Sequence, residues 1–170
     1  RIVEDLLTLA RFDNREVRLE RVPADLGTLL RGAAARLEGV ARANGVAIEV
    51  SSPGDVPAVE ADQAQLGRLF LNLLDNAVKY GKSRGKVLAR VYTDAGQPAV
   101  SVSDNGPGIP AADLPHIFKR FYRADSSRSS SGFGLGLAIA KSIADAHGAE
   151  IRVASSPAGS TFTVVFPSSK

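Results

Sequence analysis

Two asparagines, Asn72 and Asn76, stand four residues apart, and Lys79 and Tyr80 follow within one turn. On a helix, residues 72, 76 and 80 share a face and can line one groove. A carboxamide oxygen is a hard ligand suited to Mg²⁺. Lysine adds a point charge for phosphate, and a tyrosine ring packs on a base or sugar. The same residues would also suit the polar outer face of an ordinary amphipathic helix. A second group is Asp104-Asn105-Gly106-Pro107-Gly108-Ile109, directly after a strand-like run. A carboxylate at a strand end accepts a hydrogen bond from an exocyclic amine, and glycines beside it let the backbone approach a flat ring. Asp-Asn-Gly also makes plain turns. A third group, Gly132-Phe133-Gly134-Leu135-Gly136-Leu137, opens a helix, where backbone N–H groups attract anions. It is not a dinucleotide fingerprint, because position 137 is leucine and the preceding segment reads as loop. Gly81-Lys82-Ser83 ends like a P-loop, but Asn76 occupies the place of the first glycine and the stretch follows a helix rather than opening one. Between the second and third groups lie Lys119, Arg120, Arg123 and Arg128, either a solvated surface or a site for phosphate.

These residues need elements to hold them. Leu66, Leu69, Phe70, Leu73, Leu74, Ala77 and Val78 form the buried stripe of a helix over Leu66 to Tyr80, capped upstream by Asp62. Arg1 to Asp13 carries a wide apolar seam fit for a bundle or coiled coil, marginal as an isolated helix. Asn14 to Glu16 is a polar linker. Val17 to Val22 alternates as a strand, and Asp25 caps a helix running to about Asn44, stopped by Gly45. Val46 to Ser51 and Val56 to Glu60 read as strands. Lys86 to Thr93 and Pro98 to Ser103 form a hairpin across Asp94-Ala95-Gly96-Gln97. Asp104 to Ser131 is irregular, with one helical turn near Ala111 to Phe118; loops this long are usually functional or mobile. Gly134 to His147 is a helix ended by Gly148, and Glu150 to Ser155 and Thr161 to Phe166 are closing strands joined through Pro157-Ala158-Gly159. Few helices and several hairpins predict an α+β, two-layer sandwich: one mixed sheet covered on one face by about three helices, with an N-terminal helical stub. Residues 1–14 would be that stub and its linker, and residues 15–170 the main domain.

At 170 residues with 44% hydrophobic content, the chain can bury a core. It lacks the run of ~18 apolar residues that a membrane helix needs, and no signal-peptide pattern opens it. Beginning at Arg1 rather than methionine, it reads as a piece of a longer protein. Zero cysteines exclude disulfides and thiolate metal sites and fit a reducing compartment. A net charge of +3, without basic runs interleaved with aromatics, argues against a nucleic-acid partner.

Taken together, the motifs resemble the ATP-binding catalytic domain of bacterial sensor histidine kinases over nearly the whole chain. The family's N box looks like Asn72 to Tyr80, its first glycine box like Asp104 to Gly108, and its F box like Phe118 to Arg123. Its second glycine box is similar to Gly132 to Leu137, and its last to Gly159-Ser160-Thr161-Phe162. The resemblance implies ATP and Mg²⁺ as ligands. Asp104 would read the adenine amine, with Gly106, Gly108, Ile109 and Thr161 around the base. Asn76 would hold Mg²⁺ with Asn72 beside it, Lys79 would touch phosphate, and Tyr80 would pack against the nucleotide. Ile109 to Gly132 would be a lid, with Arg120 or Arg123 reaching phosphate. Gly132, Gly134, Leu135, Gly136 and Leu137 would offer backbone to the phosphate tail. Asn72, Lys79, Arg120 and Arg123 would be the residues of phosphoryl transfer.

ATPases of the same superfamily, such as gyrase and the heat-shock chaperones, carry a glutamate general base four residues before the metal-binding asparagine. Asn72 stands there, and an amide takes no proton at neutral pH. The resemblance therefore implies slow hydrolysis and a γ-phosphoryl held for a histidine on an upstream dimerisation bundle, of whose second helix Arg1 to Asp13 looks like the end. A response regulator would receive the phosphoryl in turn. The whole protein would be a homodimeric sensor, this part lying on the cytoplasmic side of a membrane reached only through absent upstream segments. The chain's own histidines do not fit the acceptor motif: His116 sits in the lid, and His147 ends a helix where a cation suits the dipole. Alternatives are a superfamily ATPase, an anti-sigma-type serine kinase, and a degenerate dimerisation module.

Overall fold

The strongest helical period in the sequence builds the helix at the centre of the molecule. The computed structural model describes residues 2–81, 84–123 and 134–168. Asp62 accepts the Gln65 N–H at 3.1 Å, and the helix runs Gln63–Tyr80, with Leu66, Leu69, Phe70, Leu73, Leu74, Ala77 and Val78 all buried. In chain order the elements are α1 (Ile2–Asp13), β1 (Val22–Ala24), α2 (Leu26–Arg36), α3 (Glu38–Ala43), β2 (Ala47–Ser51), β3 (Val59–Ala61), α4 (Gln63–Tyr80), β4 (Lys86–Asp94), β5 (Gln97–Asp104), α5 (Gly136–Ala146), β6 (Glu150–Ser156) and β7 (Gly159–Val165). A 3₁₀ turn, Leu114–His116, lies between β5 and α5.

The main sheet has the order β2-β4-β5-β7-β6, with β2 parallel to β4 and the other pairs antiparallel. Strand alternation sends Val87, Ala89 and Val91 of β4, Val100 and Val102 of β5, and Phe162 and Val164 of β7 to the face that meets the helices. That face packs on α4 and α5, Phe70 and Phe166 meeting edge to face. The architecture is the predicted mixed sheet under a helical layer. The β4–β5 hairpin turns at Ala95 and Gly96, both at positive φ, as a two-residue connection requires. Helix α1 docks on the same body: Leu9 is fully buried, and the Arg68 guanidinium donates to Asp5 Oδ1 and Thr8 Oγ1, both at 3.0 Å. Val3, Leu6 and Leu7 of α1 remain exposed.

The local differences from the sequence reading have physical causes. Residues 17–21 join no strand; β1 covers Val22–Ala24 and pairs with β3 in a separate two-stranded sheet, where Pro23 is tolerated at an edge. The helix expected to run from Asp25 to about Asn44 breaks at Leu37 (φ −100°, ψ 0°), whose N–H is shared between the Ala34 and Ala35 carbonyls, a tightened last turn. Strand β3 begins at Val59 rather than Val56. Helix α5 begins at Gly136 rather than Gly134.

His147 also differs. It is buried, its Nε2 accepts the Asp62 N–H at 3.1 Å, and its Nδ1 lies 2.8 Å from the Ile143 carbonyl oxygen. That pattern needs a neutral ring with the proton on Nδ1. Burial pushes the imidazole pKa below its ordinary 6.5, the nearby Arg21 charge lowers it further, and the Ile143 bond and Asp62 partly oppose this. The ring is therefore a neutral staple between the end of α5 and the cap of α4, not a cation on the helix dipole. Because the folded pKa is lowered, its contribution is full above about pH 6.5 and is lost as pH falls towards the folded value. On acidification from about pH 7.5 to about pH 5.5, the urea midpoint of the wild type is expected to fall more steeply than that of His147→Gln, which cannot titrate. Parallel profiles would contradict the staple.

Candidate functional site

The alternation that supplies the core also builds the site. Val100, Val102 and Asp104 follow one another on the helix-facing side of β5, so the last residue of that series is a carboxylate at the strand end. Across the sheet Asp104 pairs with Ser160, and Ser160 with Ser155. The apolar rows Val100–Val164–Ile151 and Val102–Phe162–Val153 thus give way to one polar row, Asp104–Ser160–Ser155. Asp104 Oδ1 accepts the Gly106 N–H at 2.9 Å. Desolvation raises the Asp104 pKa above its ordinary 3.8, and backbone hydrogen bonds from Gly106 and Ser160 partly oppose the rise.

Two glycines bring this row against its neighbours. A Cβ on Gly106 would lie 2.5 Å from the Tyr80 carbonyl oxygen, so only glycine lets the turn sit on the C-terminal end of α4. Gly108 has φ +82°, and a Cβ there would come within 2.0 Å of the Ser156 carbonyl oxygen. The Ile109 N–H donates to Ser155 Oγ at 2.7 Å, and the Asn105 side chain accepts the Lys86 N–H at 2.9 Å. The segment after β5 is held on both sides, by α4 and by the β6–β7 hairpin.

On α4, Asn72 and Asn76 are half-buried on the polar flank of the apolar stripe. Asn72 Nδ2 donates to the Gly136 carbonyl at 3.2 Å and fixes the start of α5 beside α4. Asn76 has no hydrogen-bond partner among the described residues, so its carboxamide is available to a ligand. Helix α5 starts after Leu135 with no side-chain cap, a ready anion-binding end. The Gly134 carbonyl (φ +76°) accepts the Phe121 N–H at 3.0 Å, which ties Phe121 to the start of α5; Leu135 is buried and Leu137 packs on the core. Tyr80 contributes its carbonyl to the Gly106 contact.

Other candidates lie elsewhere. Thr161 faces the opposite side of the sheet, bonded to Ser103 Oγ at 2.8 Å. The buried hydroxyl on the Asp104 side belongs to Ser160, and strand alternation counted from Phe162 would have found it. Lys79 is paired with Asp75 at 2.9 Å and lines a depression of about 530 Å³ with Arg42, Asn44 and Arg84. Arg120 donates to both Asp13 carboxylate oxygens at 2.6 and 2.7 Å, so its guanidinium meets the end of α1. Arg123 is half-buried. Gly132 and Arg128 lie outside the described residues, as does much of the expected lid. Phe118 is anchored edge to face on Phe162, 6.3 Å between centroids.

Residues 61–170 match the family described as histidine kinase-, DNA gyrase B-, and HSP90-like ATPases. The chain belongs to this family. Within it, the chain is 47% identical over 111 residues to the sensor histidine kinase YkoH of Bacillus subtilis, covering 64% of this chain and 24% of that protein. It is 38% identical over 169 residues to the probable sensor histidine kinase TcrY of Mycobacterium tuberculosis, covering 98% of this chain and 35% of that protein. The structure of full-length ShkA in complex with AMPPNP superposes with a TM-score of 0.87 at 31% identity, over 97% of this chain and 35% of that one. The chain therefore spans only 24% and 35% of the length of the two curated relatives.

The packing of the sheet against its helical layer explains why Asp104 can be held at a cost. Its raised pKa means that the ionised carboxylate is penalised in the fold, a penalty present above the folded pKa and relieved as pH falls through it. Asp104→Asn keeps an oxygen for the Gly106 N–H and removes the charge. At neutral pH the nucleotide-free variant is expected to show a higher urea midpoint than the wild type; a lower one would contradict this account of the site.

Proposed function

We propose that this chain is the ATP-binding catalytic part of a sensor histidine kinase, holding Mg-ATP for phosphoryl transfer to a histidine outside the chain. The observation that carries the reading is the polar row Asp104–Ser160–Ser155, closed on one side by the glycine contact with the end of α4. Asp104 offers an acceptor to the exocyclic amine of adenine, and Gly106 lets the base approach. The uncapped start of α5 and the open Asn76 carboxamide lie on the phosphate side. Among the described residues no three His, Cys, Asp or Glu gather into a metal site. Asn76 would thus hold a Mg²⁺ carried on the phosphates rather than in an all-protein cage. When bound, the ion supplies charge neutralisation across the phosphates.

The residue one turn before Asn76 on α4 cannot activate water. Asn72 is a neutral amide already engaged with Gly136. The chain's own work is positioning: it binds the base, orients the phosphate tail along α4 and α5, and leaves the transfer to an incoming nucleophile. His147 cannot be that nucleophile, since it is buried with both ring nitrogens bonded. His116, whose Nδ1 is 2.8 Å from Lys119 Nζ, does not fit the family's acceptor motif. The acceptor histidine would belong to a dimerisation bundle continuing from α1, and a response regulator would be the next partner. No helix among the described residues is long and apolar enough to cross a membrane; any membrane attachment would come through segments upstream of α1.

Calorimetric titration tests the reading. The wild type is expected to bind ATP saturably and more tightly with Mg²⁺, while releasing phosphate only slowly. Asp104→Asn is expected to weaken ATP binding by about ten-fold or more, and Asn76→Ala to remove the dependence on Mg²⁺ without lowering the urea midpoint. Equal ATP affinity in wild type and Asp104→Asn, or rapid steady-state hydrolysis, would refute it.

A further inference from the structure

Ser155 belongs to none of the motifs, yet it is the joint of the base pocket. Its Oγ accepts the Ile109 N–H at 2.7 Å and lies 2.9 Å from Ser160 Oγ. It sits two strands from Asp104 in the same lateral row, on the same face of the sheet. A hydroxyl has one donor and two acceptor sites. With one acceptor site committed to Ile109, Ser155 still has its proton or its second lone pair for Ser160. The hydroxyl pair therefore links three parts of the pocket: the segment after Gly108, the β6–β7 hairpin, and the Asp104 end of β5. Gly108 strengthens the link, since an added Cβ would sit 3.0 Å from Ser155 Oγ and against the Ser156 carbonyl.

We propose that Ser155 is a positioning residue for base selection, holding Ile109 and Ser160 so that the Asp104 edge accepts a 6-aminopurine and rejects a 6-oxopurine. This rests on the adenine-nucleotide reading above and deepens it. A 6-aminopurine offers a donor to the Asp104 carboxylate, whereas a 6-oxopurine sets an acceptor against it. Such discrimination works only where the edge is held firmly, because a pocket that shifts lets the wrong base find another pose. Ser155 Oγ supplies the firmness through bonds to backbone and side chain rather than through contact with the base.

The test compares ATP and inosine triphosphate by calorimetry in wild type, Ser155→Ala and Ser155→Thr, with amide hydrogen exchange followed at Ile109. The wild type is expected to prefer ATP. Ser155→Ala is expected to reduce the ATP-to-inosine-triphosphate affinity ratio by about five-fold, the loss of roughly one half-buried neutral hydrogen bond. Ser155→Thr, which restores a hydroxyl, is expected to recover the ratio. The Ile109 amide is expected to exchange slowly in the nucleotide-free wild type and about ten-fold faster or more in Ser155→Ala. If both nucleotides weaken in parallel, or the ratio is unchanged, the positioning role is overturned while the nucleotide site stands. If the wild type binds neither nucleotide, both proposals fall. Should Ser155→Ala not fold, an Ile109 amide that exchanges in the wild type as fast as an exposed loop overturns the inference without any variant.

Discussion

The constraint on which the structure depends is the two-residue period of a strand that is apolar until its last step. Val100 and Val102 are core because they face α4, and Asp104 faces the same way because the period leaves it no alternative. The carboxylate therefore stands at the edge of the hydrophobic layer. It is desolvated enough for burial to raise its pKa, yet it retains backbone donors from Gly106 and Ser160. Ser160 and Ser155 repeat the same switch from apolar to polar on β7 and β6. One lateral row of the sheet thus changes from apolar to polar at the strand ends.

Helix α4 meets a matching demand. Its apolar stripe binds it to the sheet, and its flank carries Asn72 and Asn76 at the turn spacing that keeps them together. The two amides do different work. Asn72 spends its donor on Gly136 and sets where α5 begins, whereas Asn76 remains unpartnered among the described residues. The neutral His147 staple ties the far end of α5 to the cap of α4, so both ends of α5 are fixed to α4, one at its cap and one at mid-helix. Helix α1 joins this body through Leu9, Arg68 and the Asp13–Arg120 pair, which gives an arginine in the F box a carboxylate partner at the junction with the N-terminal helix.

Much of this was legible in the sequence wherever a local period or a glycine decided the outcome. The stripe of α4, the Asp62 cap and the β4–β5 hairpin all follow from neighbours in the chain. Facing and long-range pairing were less legible. Thr161 and Ser160 are adjacent and chemically alike, and only the register against β5 shows that Ser160 shares the face of Asp104. Ser155 looks like any polar residue on an edge strand until Ile109, 46 positions away, is seen to bond to it. The ion pair of Arg120 was not legible because its partner, Asp13, is 107 residues distant. Residues 17–21 alternate like a strand but meet no partner strand, and alternation alone cannot supply one.

The central claim is that an adenine nucleotide binds between the polar row of the sheet and the amide flank of α4. Amide and side-chain chemical-shift mapping during a Mg-ATP titration tests it most directly. The account predicts that the largest shifts gather at Gly106, Gly108, Ile109, Ser160, Gly136 and the Asn76 carboxamide. Shifts confined to the basic depression of Arg42, Asn44 and Arg84, with the polar row silent, would contradict it.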